Sequence, residues 1–122
     1  MNNEQLNTNF KSDIKNKVDG TWITTGKVDS TYLIINGEYI INPLTGNPYI
    51  VPAGYNPQNT IDKFIKLDEE NKVFEGLYQY KTSGILDLQR GFNGTKFDGF
   101  VTDYTPIASF DFGLAVSAGG LV

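Results

Sequence analysis

The sequence predicts a mainly β protein, an antiparallel sandwich or small barrel of about seven or eight short strands preceded by one N-terminal helix. Three observations carry that expectation. From Thr21 onward, β-branched and aromatic residues recur in short runs at alternate positions. Gly, Asn and Pro punctuate those runs at intervals of roughly 8–12 residues. The 13 glycines exceed the usual ~7% of residues and suit a chain with many turns. At 122 residues one core can form without staples, so the chain divides into a helix over 1–20 and a β domain over 21–122.

The helix rests on Leu6, Phe10, Ile14 and Val18, which recur at four-residue spacing with polar residues between them. At ~100° per residue they form one narrow apolar stripe. Asp19-Gly20 supplies the stop, because Gly accepts the left-handed C′ position. A stripe this thin does not hold a helix in water by itself, so the segment must dock on its own domain, on another copy or on a partner.

Trp22 to Val28 reads as a first strand. Thr31 to Ile41 then reads as a hairpin about Asn36-Gly37, since a type I′ turn needs φ > 0 at both central residues. That turn would pair Ile35 with Glu38, Ile34 with Tyr39, Leu33 with Ile40 and Tyr32 with Ile41. One face would carry Tyr32, Ile34, Tyr39 and Ile41, the other Leu33, Ile35 and Ile40. Both faces are apolar, so each should meet protein. Gly37→Val should destabilise such a turn.

Tyr39–Pro43 and Asn47–Val51 flank Leu44-Thr45-Gly46 almost as mirror images, and read as two short strands around a turn. Pro52 to Gln58 reads as a surface loop with Tyr55 at its tip. Ile61–Leu67 and Val73–Lys81 read as strands joined by the acidic turn Asp68–Lys72. Ile85–Arg90 has no defined type, Gly91–Lys96 is a Gly-rich loop, and Phe97–Tyr104 reads as a strand. In the last strand Phe110, Phe112, Leu114, Val116 and Ala118 alternate with small or polar residues.

The chemistry open to the chain is narrow. It has no His and no Cys, which removes Cys and His nucleophile systems, Ser-His-Asp triads, ordinary zinc and haem sites and disulfides. The remaining candidates are carboxylates, Asp87, Asp98, Asp103 and Asp111, and a paired-carboxylate hydrolase is a remote alternative. Asp68-Glu69-Glu70 lacks the spacing of a calcium loop, and Gly91–Lys96 misses the phosphate-loop spacing, so no cofactor or metal is expected. A net charge of −4 disfavours nucleic acid. The first residues lack the basic and apolar regions of a signal peptide, and no stretch is long enough for a membrane span. Sixteen aromatics invite a carbohydrate- or ligand-binding alternative, with Trp22 and loop-borne Tyr55 as the candidate surface.

The polar segment from Leu6 to Val18, leading into a compact β body, resembles small phage and virion accessory proteins of the head-fibre, decoration, neck or tail type. The resemblance is architectural and implies a non-enzymatic structural role, in a virion or a cytoplasmic assembly. The expected partners are other protein subunits, through self-association or a larger lattice. Leu6, Phe10, Ile14, Val18, Tyr32, Ile34, Tyr39 and Ile41 are the expected assembly interface.

Overall fold

The computed structural model describes residues 23–29, 36–43 and 45–121. It corrects the fold class. Among the described residues, two small sheets and three α-helices replace the many-stranded sandwich. In chain order the elements are β1 (Ile23–Asp29), β2 (Asn36–Ile41), β3 (Pro48–Pro52), α1 (Pro57–Glu69) and α2 (Val73–Tyr78). There follow β4 (Gly91–Phe92), β5 (Thr95–Lys96), a 3-10 turn (Thr102–Tyr104) and α3 (Thr105–Ala118).

The first sheet has the antiparallel order β1-β2-β3. Its first strand and its β2–β3 turn match expectation, with Ile41 opposite Pro48. Pro48 and Pro52 are tolerated because β3 is an edge strand. The expected Asn36-Gly37 hairpin is not there. Asn36 pairs with Asp29 and Gly37 with Val28, both inside β2. Tyr39 lies opposite Gly26, Ile40 opposite Thr24 and Ile41 opposite Ile23, so the expected cross-strand partners are replaced. Tyr32, Leu33, Ile34 and Ile35 lie outside the described residues, as does the 1–20 helix. Of the two-faced hairpin, Ile40 is buried while Tyr39 and Ile41 are half-buried.

The expected strand Ile61–Leu67 is the middle of α1. Asn56 takes extended dihedrals (φ −138°, ψ 116°), and its side chain accepts the Gln58 N–H at 3.0 Å. Pro57 follows in the first turn, where its missing N–H costs nothing. Pro57, Ile61 and Phe64 are buried, with Ile65 packed beside them, at helical rather than alternating spacing. Asn71 stops the helix with φ 58°, and the Lys72 N–H closes on the Leu67 carbonyl at 2.8 Å. The expected strand Val73–Lys81 is the short helix α2 followed by a turn. It lies close against α1 at Gly76, where a Cβ would meet Leu67 at 2.5 Å and Phe64 at 2.9 Å.

The expected last strand is α3. Pro106 fits its first turn, and Ile107, Asp111, Leu114, Ala115 and Ala118 form its buried side. The expected strand Phe97–Tyr104 is irregular chain ending in the 3-10 turn. The Gly-rich loop closes instead as a small hairpin, with Asn93 and Gly94 at φ 52° and 83°.

α3 joins two cores. Its early residue Ile107 packs with Ile40, Val51, Tyr55, Leu88, Val101 and Tyr104 against the sheet. Its later residues Leu114, Ala115 and Ala118 pack with Ile61, Phe64 and Val73 from α1 and α2. Phe110 touches both clusters.

Candidate functional site

Asp111 sits next to the residue that bridges the two cores, and it is 2% exposed. Three hydroxyls converge on it. Tyr55 Oη and Thr60 Oγ1 each donate to Oδ1 at 2.6 Å, and Tyr80 Oη donates to Oδ2 at 2.7 Å. Tyr55 precedes α1, Thr60 lies in its first turns, and Tyr80 follows α2, so one carboxylate on α3 gathers three segments. Burial raises the Tyr55 and Tyr80 hydroxyls far above their ordinary pKa, and the neighbouring Asp111 charge adds to the rise. Both shifts favour the protonated hydroxyls, which are the form that donates to Asp111. A buried carboxylate with its oxygens occupied by hydroxyls acts as a polar pin.

Asp87 is also buried. Its Oδ2 accepts the Ser83 N–H at 2.8 Å and Arg90 Nη1 at 2.9 Å, which fixes the turns after α2. Asp98 is exposed, and Asp103 is half-buried in the 3-10 turn. Among the described residues, no three acidic side chains converge where they could hold a metal ion.

The surface beside this pinned interior exposes several large aromatic side chains. Phe74 and Tyr78 stand one helical turn apart on α2 and are 76% and 66% exposed. Lys81 Nζ lies 4.3 Å from the Tyr78 ring centroid. Tyr78 also borders a groove of about 610 Å³ that is lined further by Tyr80, Leu86, Ala108 and Phe112. Phe112, on α3, is 45% exposed and meets Tyr80 edge-to-face at 5.3 Å. The same tyrosine thus holds Asp111 with its hydroxyl and supports the groove with its ring.

The sequence-predicted site residues divide sharply. Leu6, Phe10, Ile14, Val18, Trp22, Tyr32 and Ile34 lie outside the described residues. Tyr39 and Ile41 lie side by side along β2. Tyr55 is not at an exposed loop tip: it is 8% exposed and committed to Asp111, which removes it from the candidate sugar surface. Phe74, Tyr78 and Phe112 were missed because each fell in an expected strand, where alternate apolar residues are assigned to a core. The four-residue spacing of Phe74 and Tyr78 is the signal that marks them as one helical face.

Among the described residues, no helix is long and apolar enough to cross a membrane. Compared with known proteins, the chain matches no family model, no curated protein and no solved structure.

Proposed function

We propose that this chain is a non-enzymatic assembly protein, a component of a larger particle such as a virion, and that it docks with further copies of itself through the α2–α3 face. One observation carries the reading: Phe74, Tyr78 and Phe112 present three large aromatic side chains to solvent on adjoining helices. Full burial of one such side chain contributes about 1.5–3 kcal/mol, so three offset a useful part of the cost of association. Aromatic anchors beside a groove are the usual centres of protein interfaces. A second copy is the favoured occupant because the face offers both halves of a self-complementary contact, a pair of projecting rings and an apolar groove next to them.

Analytical ultracentrifugation of the full chain across micromolar to millimolar concentrations tests the reading. The native chain should associate. Phe74→Glu with Tyr78→Glu should leave a monomer with an unchanged melting temperature, since neither ring packs in a core. A native chain that stays monomeric throughout, or a double variant that associates as before, overturns it.

A further inference from the structure

A second cleft, of about 410 Å³, lies between the turn after α2 and the β4–β5 hairpin. Its apolar walls include Ile85, Phe92, Phe97 and Phe100, and its charged groups are Arg90 and Lys96. Ile85 is 72% exposed and Phe100 38% exposed, so these side chains are open to whatever enters. No carboxylate lines the cleft, although the whole chain carries a net charge of −4. The one arginine of the chain is placed here.

Arg90 is held rather than free to swing. Asp87 takes Nη1 at 2.9 Å, and the guanidinium carbon stands 4.9 Å from the Phe100 ring centroid. Asp87 is its only side-chain hydrogen-bond partner among the described residues, so most of its N–H donors remain uncommitted. Lys96 is exposed and has no carboxylate partner among the described residues. Asp87, outside the cleft lining, offsets part of the Arg90 charge, and Lys96 adds a second cation. That balance suits a monoanion better than a dianionic phosphate. A cavity of about 150 Å³ accepts benzene, so this cleft has room for a two-ring body.

We propose that this cleft binds a small aromatic carboxylate, with the rings against Phe92, Phe97 and Phe100 and the carboxylate between Arg90 and Lys96. The site is separate from the α2–α3 face and does not depend on the assembly reading. Arg90 offers a planar, pre-oriented donor edge, and Lys96 a mobile point charge. The apolar walls supply area, and the two cations select the charged end.

The probes are 2-naphthoate and its neutral amide, 2-naphthamide, titrated into the full chain and followed by amide chemical shifts. The naphthoate should produce saturable shifts at Gly91, Gly94, Lys96 and Gly99. It should bind about tenfold more tightly than the amide at low salt and lose most of that advantage at high salt. Lys96→Gln should weaken naphthoate severalfold and leave the amide unchanged, while Phe100→Ala should weaken both. Both residues are exposed, so the fold should tolerate the changes. No saturable shift at millimolar naphthoate, or equal affinity for acid and amide, overturns the proposal. So do shifts confined to the α2–α3 groove. Tighter binding of 1-naphthyl phosphate than of naphthoate overturns the carboxylate assignment.

Discussion

The Tyr55 hydroxyl donates to Asp111 Oδ1 across 2.6 Å, although the two residues are 56 positions apart in the chain. Thr60 shares the same oxygen, and Tyr80 holds the other. The bond ties the segment entering α1 to the middle of α3, where the sheet-side and helix-side cores meet. Removing the acceptor strands hydroxyls that have little access to water. Asp111→Ala should therefore cost about 3 kcal/mol, and Tyr55→Phe about 1.5–3 kcal/mol, since the bond lost is to a charged group. Urea denaturation measures both. An unchanged midpoint for Asp111→Ala would show that the carboxylate pins nothing.

Alkaline pH probes the same cluster from the proton side. Tyr55 and Tyr80 hold their protons far more tightly in the folded chain than in the unfolded one, where tyrosine titrates near ~10. Their contribution is fully present below that value and is lost as pH rises above it. Each of the two should remove about 1.4 kcal/mol of stability per pH unit beyond ~10. Phenolate absorbance from these residues should appear together with unfolding rather than before it. Parallel pH titrations by absorbance and circular dichroism check this, and Tyr55→Phe with Tyr80→Phe should flatten the alkaline slope.

The dipeptide Asn-Gly shows what the sequence could and could not reveal. At Asn93-Gly94 it makes the tight turn its chemistry favours, with both residues at positive φ. At Asn36-Gly37 the same two residues lie inside β2, because strand pairing on both sides and the close approach of Tyr104 decide the backbone there. Local preference was legible at both sites, and tertiary context chose between them. The three helices were hidden for a related reason. Ile61, Phe64 and Ile65 fit helical spacing, but Asn56-Pro57 suits a loop as readily as a cap followed by a first-turn proline. In α3 nearly every position is apolar or small, so strict alternation could be read where a helix stands. The Asp111 cluster was not legible, since its three donors come from distant segments. Phe74 and Tyr78 were legible as apolar residues but not as exposed ones.

The α1 cap gives a local test of that reading. The Asn56 side chain satisfies the Gln58 N–H, one of the donors left without a helical partner at an N-terminus. Asn56→Ala should cost about 1 kcal/mol, and Asn56→Asp or Asn56→Ser should restore most of it. Thermal unfolding of the three variants separates a cap from a simple surface loop. Equal melting temperatures for the Ala and Ser variants would contradict the cap.

Gly37 must remain glycine for a steric reason, not for a turn. Its φ is not in the left-handed region, but a Cβ there would stand 2.8 Å from the Tyr104 hydroxyl and 2.9 Å from the Val51 carbonyl oxygen. Tyr104 is 1% exposed, and its hydroxyl has no hydrogen-bond partner among the described residues. Gly37→Ala should therefore cost about 1–3 kcal/mol, the usual range for overpacking. Tyr104→Phe should be neutral or raise stability by about 1 kcal/mol, because it removes a buried polar atom that gains nothing in return. With the hydroxyl gone, one of the two close approaches disappears and only the Val51 carbonyl still opposes the new methyl. The Gly37→Ala penalty should then fall by about 1 kcal/mol in the Tyr104→Phe background. A double-mutant cycle in urea reads this coupling directly. Strict additivity would mean that β2 moves away from Tyr104 when the methyl is added, and that the glycine is required by the Val51 backbone alone.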